Sequence, residues 1–340
     1  MPEEENITNN DNVGVKMNVK DELIKNLAEA GGEYVSGAAL ADKLGVSRNA
    51  VWKAVNAIKE EGYEIESSPR GYKLSKNNNR LSAEVIRSAL TDGNTDRKII
   101  VLEETNSTNI AAKELAASGA PHGTVVTADR QTAGRGRLNR SFVSPSGKGL
   151  YMSVVIRPEL DMKFVPMITS AAAVAAALAV EKLCGHEVQI KWVNDLYMNG
   201  KKICGILTEA SLDLEIKSLD YAVVGIGINV RSMKEDFDEE LQLRASSVEN
   251  ESGIVIDRNL LCAEVLNNLD IWLGRIEDRS YIIEYRRREY LTGKYVTAEY
   301  GGKIISGTAV GIDRNANLMV EMPDGDIISL NAGEANLIRR

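Results

Sequence analysis

The 340-residue sequence contains only two histidines, His122 and His186, and three cysteines, Cys184, Cys204 and Cys262. Two histidines cannot by themselves build a zinc site, and no residue is assigned as a metal ligand. The cysteines lie far apart and form no Cys-x-x-Cys pair, so buried free thiols in a reducing compartment are expected. No P-loop and no internal repeat are present. No apolar run reaches the ~20 residues that a membrane span needs. The most apolar stretch, between Pro166 and Val180, is alanine-rich, and Pro166 at its start with Glu181 beyond its end fits a buried core helix. Met1-Pro2-Glu3-Glu4-Glu5 is acidic, unlike a signal peptide. A cytoplasmic protein with no membrane partner is expected. Positive charge is not in excess either: 41 Lys and Arg against 49 Asp and Glu give a formal net charge of −8. That argues against a general nucleic-acid coat but leaves room for a local basic surface.

At this length two or three domains are expected. Residues 1–17 read as a disordered tail, with too few large apolar groups to offset ordering entropy. Residues 18–79 form a first domain. Leu23, Ile24 and Leu27 repeat at helical spacing until Gly31-Gly32. Ser36 caps a helix from Gly37 to Leu44. After the Gly45-Val46 turn, Ser47 caps a third helix from Arg48 to Glu60, with Val51, Val55 and Ile58 inward. Tyr63 to Glu66 and Tyr72 to Leu74 then alternate around Ser67-Ser68-Pro69-Arg70-Gly71 as a hairpin. The whole reads as a winged helix-turn-helix. Ser47, Arg48, Asn49, Trp52, Lys53 and Asn56 belong to the third helix, which would enter a DNA major groove. Arg70 and Lys73 lie on the wing, placed to grip phosphates. A module used for protein contact alone is the alternative.

Asn77-Asn78-Asn79 is a polar connector. Residues 80–290 mix strands (Ile99 to Leu102, Thr124 to Ala128, Leu150 to Arg157, Val188 to Trp192, Lys202 to Leu207, Ala222 to Ile228) with helices (Asn109 to Ala117, Pro166 to Leu183, Arg258 to Ile276). Few connections resemble repeated βαβ crossovers, so an α/β domain with a mixed or antiparallel sheet is expected. In residues 291–340, short strands separated by Gly301-Gly302, Arg314-Asn315 and Pro323-Asp324-Gly325 point to a small SH3-like β-barrel. The fold class is therefore multidomain α+β.

The densest chemical signal is Gln131-Thr132-Ala133-Gly134-Arg135-Gly136-Arg137-Leu138-Asn139-Arg140. Glycine reaches backbone angles closed to other residues, and each guanidinium offers a fork of donors matched to carboxylate or phosphate. A loop so cationic in an acidic protein suits an anion; alone, it would be a solvated basic turn. Three further blocks follow: Lys191-Trp192-Val193-Asn194-Asp195-Leu196, Lys202-Ile203-Cys204-Gly205-Ile206-Leu207 and Gly225-Ile226-Gly227-Ile228-Asn229-Val230. In order and spacing these resemble the biotin protein ligases. With its N-terminal domain the chain, from about residue 18 onward, resembles the bifunctional members, which are both ligase and biotin-gene repressor.

The resemblance implies that biotin and ATP, with Mg2+, form biotinyl-AMP, and that a lysine of an apo biotin carboxyl carrier protein then takes the biotinyl group. It implies catalytic roles for Arg135, Arg137, Lys191, Lys202 and Asp195. Biotin contacts are implied for Ser107, Thr108, Asn109, Gln131, Arg135, Gly136, Arg137 and Lys202. Nucleotide contacts are implied for Arg137, Arg140, Phe142, Asn194 and Asn229, with the nucleotide or a metal open for Asn229. Asp195 stands near the acceptor lysine in this reading; a magnesium role and a structural pair with Lys191 remain open. The resemblance also implies operator DNA as a partner and a homodimer when liganded. Phe142 stands where the family usually has tryptophan and Val193 where it usually has proline. A DNA-binding biotin sensor without turnover, a ligase whose winged helix no longer serves DNA, and a lipoate-type ligase are the competing readings.

Overall fold

The computed structural model describes residues 18–75, 78–91, 96–157, 162–213 and 218–337. The expected disordered tail, residues 1–17, lies outside them, as does Asn77 of the connector. The chain divides into two compact units, Met1–Lys76 and Asn77–Arg340.

The first unit comprises α1 (Val19–Glu29), α2 (Gly37–Leu44), α3 (Arg48–Glu60) and the antiparallel hairpin β1 (Ile65–Ser68) and β2 (Gly71–Leu74). Each helix begins at a polar cap whose side chain takes an otherwise orphaned amide: Asn18 from Lys20, Ser36 from Ala39, Ser47 from Ala50. Leu23, Leu27, Leu40, Val51, Val55 and Ile58 make the core. Gly71 has φ +126°, and a Cβ there would lie 2.0 Å from the Val35 carbonyl oxygen. Only glycine lets the wing return against Val35, to which Tyr72 is bridged.

The second unit runs α4 (Ala83–Ser88), β3 (Ile99–Thr105), α5 (Thr108–Ala117), β4 (Val125–Gln131), β5 (Gly149–Ile156), α6 (Met167–Cys184), β6 (Gln189–Lys191), β7 (Asp195–Met198), β8 (Lys201–Asp213) and β9 (Ser218–Asn229). It continues through α7 (Glu239–Arg244), α8 (Val248–Ser252), α9 (Arg258–Leu273), α10 (Tyr281–Arg287), β10 (Tyr295–Tyr300), β11 (Lys303–Ile312), β12 (Leu318–Glu321), β13 (Ile327–Leu330) and β14 (Ala335–Leu337). Seven strands form one sheet in the order β3-β4-β5-β9-β8-β7-β6. Among the described residues only β3 and β4, joined by α5, pair in parallel, and the sheet is mixed. The C-terminal strands form an antiparallel sheet in the order β13-β12-β11-β10-β14.

Strand alternation sorts the residues between two faces. Val125, Val154 and Val224 join the core around α6 and α9, whereas Val126, Val155 and Val223 pack with Ala112 and Ala116 of α5. Helix α6 is long and apolar enough to cross a membrane by composition alone. Its Ala171 to Ala177 segment is nevertheless fully buried, which accounts for its hydropathy as core packing. All three cysteines are buried and free.

Several elements differ from expectation. The strand expected from Val188 to Trp192 is only β6, and Trp192 to Asn194 turn the chain directly into β7, which the pattern did not reveal. The turn to β8 uses Asn199 and Gly200, both at positive φ, a two-residue hairpin signal passed over in a polar stretch. Helices α4, α7, α8 and α10 and strand β14 have no counterpart among the elements expected from the sequence. They are short, and their positions come from packing rather than periodicity.

Because α6 is packed on all sides, Ala173→Leu is expected to destabilise the second unit by about 1–3 kcal/mol. Urea denaturation should show a lower midpoint at unchanged m-value.

Candidate active site and nucleic-acid interface

The sheet face that carries α5 is only partly covered by it. Beyond the helix start, β8 and β9 present Gly205, Gly225 and Gly227 on that face. A Cβ on Gly225 would lie 2.0 Å from Asn109 Oδ1, and one on Gly227 would lie 2.7 Å from the Phe142 ring. These glycines make a bare floor that Asn109 and Phe142 approach closely. The Phe142 ring is half-buried there and meets Tyr151 edge-on at 6.4 Å between centroids.

The arginine loop leaves the end of β4 and folds on itself: Phe142 N donates to the Gly134 carbonyl at 2.9 Å, and Gly136 N to the Arg140 carbonyl at 2.7 Å. The two glycines do not use the backbone freedom expected of them. Gly136 is extended, and Gly134 serves close packing, because a Cβ there would lie 2.3 Å from the Phe142 carbonyl oxygen. The left-handed residues are instead Leu138 and Asn139, at φ 54° and 57°.

Arg135, Arg137, Arg140 and Lys202 each have a polar protein partner. Arg135 Nη1 lies 3.6 Å from Glu209. Arg137 donates to Asn194 Oδ1 at 2.8 Å and to the Gly333 carbonyl at 2.7 Å. Arg140 pairs with Glu334 at 2.9 Å. Lys202 Nζ lies 2.7 Å from Asp195 Oδ1 without hydrogen-bond alignment. Asp195 is therefore ion-paired with Lys202 and not with Lys191, the structural partner considered from sequence. Lys191 sits over the Tyr197 ring, 6.0 Å from its centroid. Desolvation holds its pKa below the ordinary lysine value, against the opposing pull of Asp195 and Glu334. Burial acts to raise the Glu334 pKa, but the Arg140 hydrogen bond and charge, with Lys191 and Lys202 nearby, hold it below the usual carboxylate value.

Glu209 and Glu334 were missed in the sequence. Glu209 had a signal: Gly205, Leu207 and Glu209 share one face of β8 by period-two alternation. Glu334 had none, being brought to Arg140 by the turn before β14.

A hydrogen-bond chain fixes the start of α5. Ser107 occupies the cap position yet makes no side-chain cap bond. The Gln131 carboxamide oxygen accepts from Thr108 N at 2.8 Å instead, leaving the Ser107 hydroxyl out of helix capping. Ser153 donates to Asn109 Oδ1 at 2.6 Å, while Asn109 Nδ2 donates to Leu207 O and Glu209. Asn194 Nδ2 donates to the Ile206 carbonyl at 2.8 Å. The Trp192–Val193 peptide is cis, and the Val193 carbonyl accepts from Tyr285. Asn229 Nδ2 donates to the Ser246 carbonyl at 2.8 Å, while its Oδ1 is buried without a partner among the described residues. Among those residues no group of three or more His, Cys, Asp and Glu could hold a metal.

In the first unit, Arg48, Asn49, Trp52 and Lys53 are exposed along α3 and Asn56 is half-buried. Ser47 spends its hydroxyl on the Ala50 amide. Trp52, Asn56 and Arg70 line a groove of about 430 Å³ between α3 and the wing. Arg70 stacks over the Tyr34 ring at 4.5 Å, which orients it at the wing tip. Lys73 is already paired with Glu66 at 2.9 Å, so part of the wing's charge is neutralised internally.

Residues 20–73 match the HTH domain family, residues 100–229 the Biotin/lipoate A/B protein ligase family, and residues 292–337 the Biotin protein ligase C terminal domain. The chain is 35% identical over 329 residues to the bifunctional ligase/repressor BirA of Bacillus subtilis, covering 92% of this chain and 96% of that protein. It is 30% identical over 312 residues to the protein of the same description from Escherichia coli, covering 91% and 94%. Among solved structures it resembles the biotin protein ligase of Aquifex aeolicus in complex with biotin and ATP, with 28% identity and a TM-score of 0.60, over 72% of this chain and 99% of that one. The motifs, the three matched regions and these near full-length relatives agree: the chain belongs to the biotin protein ligase family and has the domain set of its bifunctional ligase/repressor members.

Proposed function

We propose that the protein is an ATP-dependent ligase that converts biotin to biotinyl-5'-AMP. It then transfers the biotinyl group to a lysine of the biotin carboxyl carrier protein of acetyl-CoA carboxylase. We further propose that the adenylate makes it a repressor of biotin genes. The observation that carries the enzymatic reading is that Lys202 lies beside Gly205 of β8 and pairs with Asp195, while Arg137 is hydrogen-bonded to the adjacent Asn194 and Arg135 stands by Glu209 of the same strand. A carboxylate is a poor electrophile toward an amine. Attack of a biotin carboxylate oxygen on the α-phosphorus of ATP expels pyrophosphate and leaves a mixed anhydride; a neutral lysine amine then attacks the acyl carbon and AMP departs. Arg135, Arg137 and Lys202 offset the charged oxygens in the first step. Magnesium, when bound, supplies further charge compensation to the phosphates. Asn229 Oδ1, buried without a partner among the described residues, would accept a hydrogen bond from the nucleotide or help to hold magnesium.

The neutral side chains at the start of α5 and the end of β4, Ser107, Thr108, Asn109 and Gln131, suit the uncharged ureido ring of biotin, with Gly136 allowing close approach. Arg140, Phe142 and Asn194 face the nucleotide, Phe142 offering less stacking area than tryptophan. Only roughly one lysine in 2,500 is neutral at pH 7. Asp195, freed once Lys202 turns to the ligand, attracts the acceptor ammonium and takes its proton, with half-desolvated Lys191 beside it. Residues 18–79, 80–290 and 291–340 are assigned as DNA-binding, catalytic and SH3-like domains. A cytoplasmic setting and a liganded homodimer that presents two α3 helices to a two-fold operator complete the reading.

Biotin-dependent exchange of labelled pyrophosphate into ATP tests adenylation directly. Exchange that requires biotin is expected; none at all would remove the enzymatic reading. Arg137→Gly cuts the tethers to Asn194 and Gly333, so it should release adenylate and label bystander lysines; unchanged selectivity would refute the shielding role. Asp195→Ala should slow transfer from preformed adenylate more than pyrophosphate exchange, and equal losses would refute the acceptor-lysine assignment. Arg48→Ala and Lys53→Ala should weaken operator retention while leaving ligation intact. Normal DNA binding with impaired ligation would contradict that division of labour.

A further inference from the structure

Glu209 lies on the α5 face of β8 and touches three groups of the site. Lys113 Nζ stands 2.7 Å from Oε1, Asn109 Nδ2 stands 3.0 Å from Oε2, and Arg135 Nη1 stands 3.6 Å from Oε1. Asn109 and Lys113 are four residues apart on α5 and so share one helix face. Both reach one carboxylate, which clamps the start of α5 to β8. We propose that Glu209 is a positioning residue of the ligase reaction, holding the Arg135 guanidinium and the Asn109 carboxamide at the biotin site. This rests on the function proposed above.

The distances separate two kinds of hold. Lys113 and Asn109 are hydrogen-bonded to the carboxylate. Arg135 is within ion-pair range of Glu209 but beyond hydrogen-bond reach, so Coulomb attraction orients it, and its N–H donors, which bond no other side chain among the described residues, can meet a ligand carboxylate. A bare glutamate beside that ligand would repel it. Lys113 supplies the counter-charge, and two cations against one carboxylate leave the locality positive. Burial acts to raise the Glu209 pKa, but hydrogen bonds from Lys113 and Asn109 and the charges of Lys113 and Arg135 hold it below the usual carboxylate value. The carboxylate is thus ionised at neutral pH, and an already oriented guanidinium lowers the ordering cost of binding.

Calorimetric biotin affinity and steady-state adenylation of the full chain test this in Glu209→Gln, Arg135→Ala and the double variant. Glutamine keeps an oxygen for Asn109 and removes the charge felt by Arg135. Glu209→Gln is expected to raise the biotin Kd and KM by about tenfold, the scale of one charge-assisted contact. The kcat at saturating biotin should stay within about twofold and the KM for ATP should not move. In the Arg135→Ala background the same change should cost less than about twofold. An unchanged Kd, or equal costs in both backgrounds, would overturn the proposal. If Glu209→Gln does not fold, Lys113→Gln decides: it leaves Glu209 to seize Arg135 and repel biotin, so the Kd must rise, and an unchanged Kd refutes the role. A wild-type protein that binds biotin without adenylating it would end the ligase reading while leaving the Kd test of Glu209 intact. One that binds no biotin overturns both.

Discussion

Cations cannot be gathered on a partly buried surface without counter-charge, because desolvation and mutual repulsion would destabilise the fold or strip the charge. In this protein three carboxylates meet that constraint, each from a different part of the chain: Asp195 of β7 with Lys202, Glu209 of β8 with Arg135, and Glu334 before β14 with Arg140. The ligands proposed for the site are themselves anionic. The protein carboxylates thus offset part of the site's positive charge before any ligand arrives, and the remaining positive charge favours an anionic ligand. The same pairing also ties the C-terminal sheet into the catalytic surface. Glu334 and the Gly333 carbonyl hold Arg140 and Arg137, and the buried Trp192 indole donates to the Ala316 carbonyl at 2.9 Å. The catalytic and C-terminal sheets accordingly fall in a single compact unit.

The sheet makes this arrangement possible through its two unlike faces. One face is filled by α6 and α9 with alanine, valine and leucine. The other is partly covered by α5, and beyond the helix β8 and β9 carry Gly205, Gly225 and Gly227. A side chain larger than hydrogen at position 205, 225 or 227 would occupy space that Asn109, Phe142 or Lys202 already approaches. Glycine in these strands is therefore a matter of room above the sheet, not of backbone angle.

Much of this was legible in the sequence where local physics decides. The caps at Ser36 and Ser47, the Gly45 stop and the period of Val51, Val55 and Ile58 placed the first unit's helices. The structure links the blocks around Arg137, Asp195, Lys202 and Asn229: Arg137 bonds Asn194, Lys202 pairs with Asp195, and Asn229 and Lys202 both bond the Ser246 backbone. What local pattern could not carry was pairing at a distance. Nothing near Glu334 marks it as a partner of a loop almost two hundred residues earlier. Strand pairing sets Asp195 opposite Lys191, yet its ion pair is with Lys202 of the adjacent strand β8. The loop glycines were read for backbone freedom, whereas the positive φ values fell on Leu138 and Asn139. Strand β7 hid behind a tight turn and an Asn199-Gly200 hairpin, because four residues are too few to show a period.

The most direct measurement is the intact mass of an apo carrier domain after incubation with purified protein, biotin and MgATP. The account predicts one biotinyl addition to the carrier, dependent on ATP. An unmodified carrier, with biotin still tightly bound by the protein, would contradict it and leave a biotin sensor in place of a ligase.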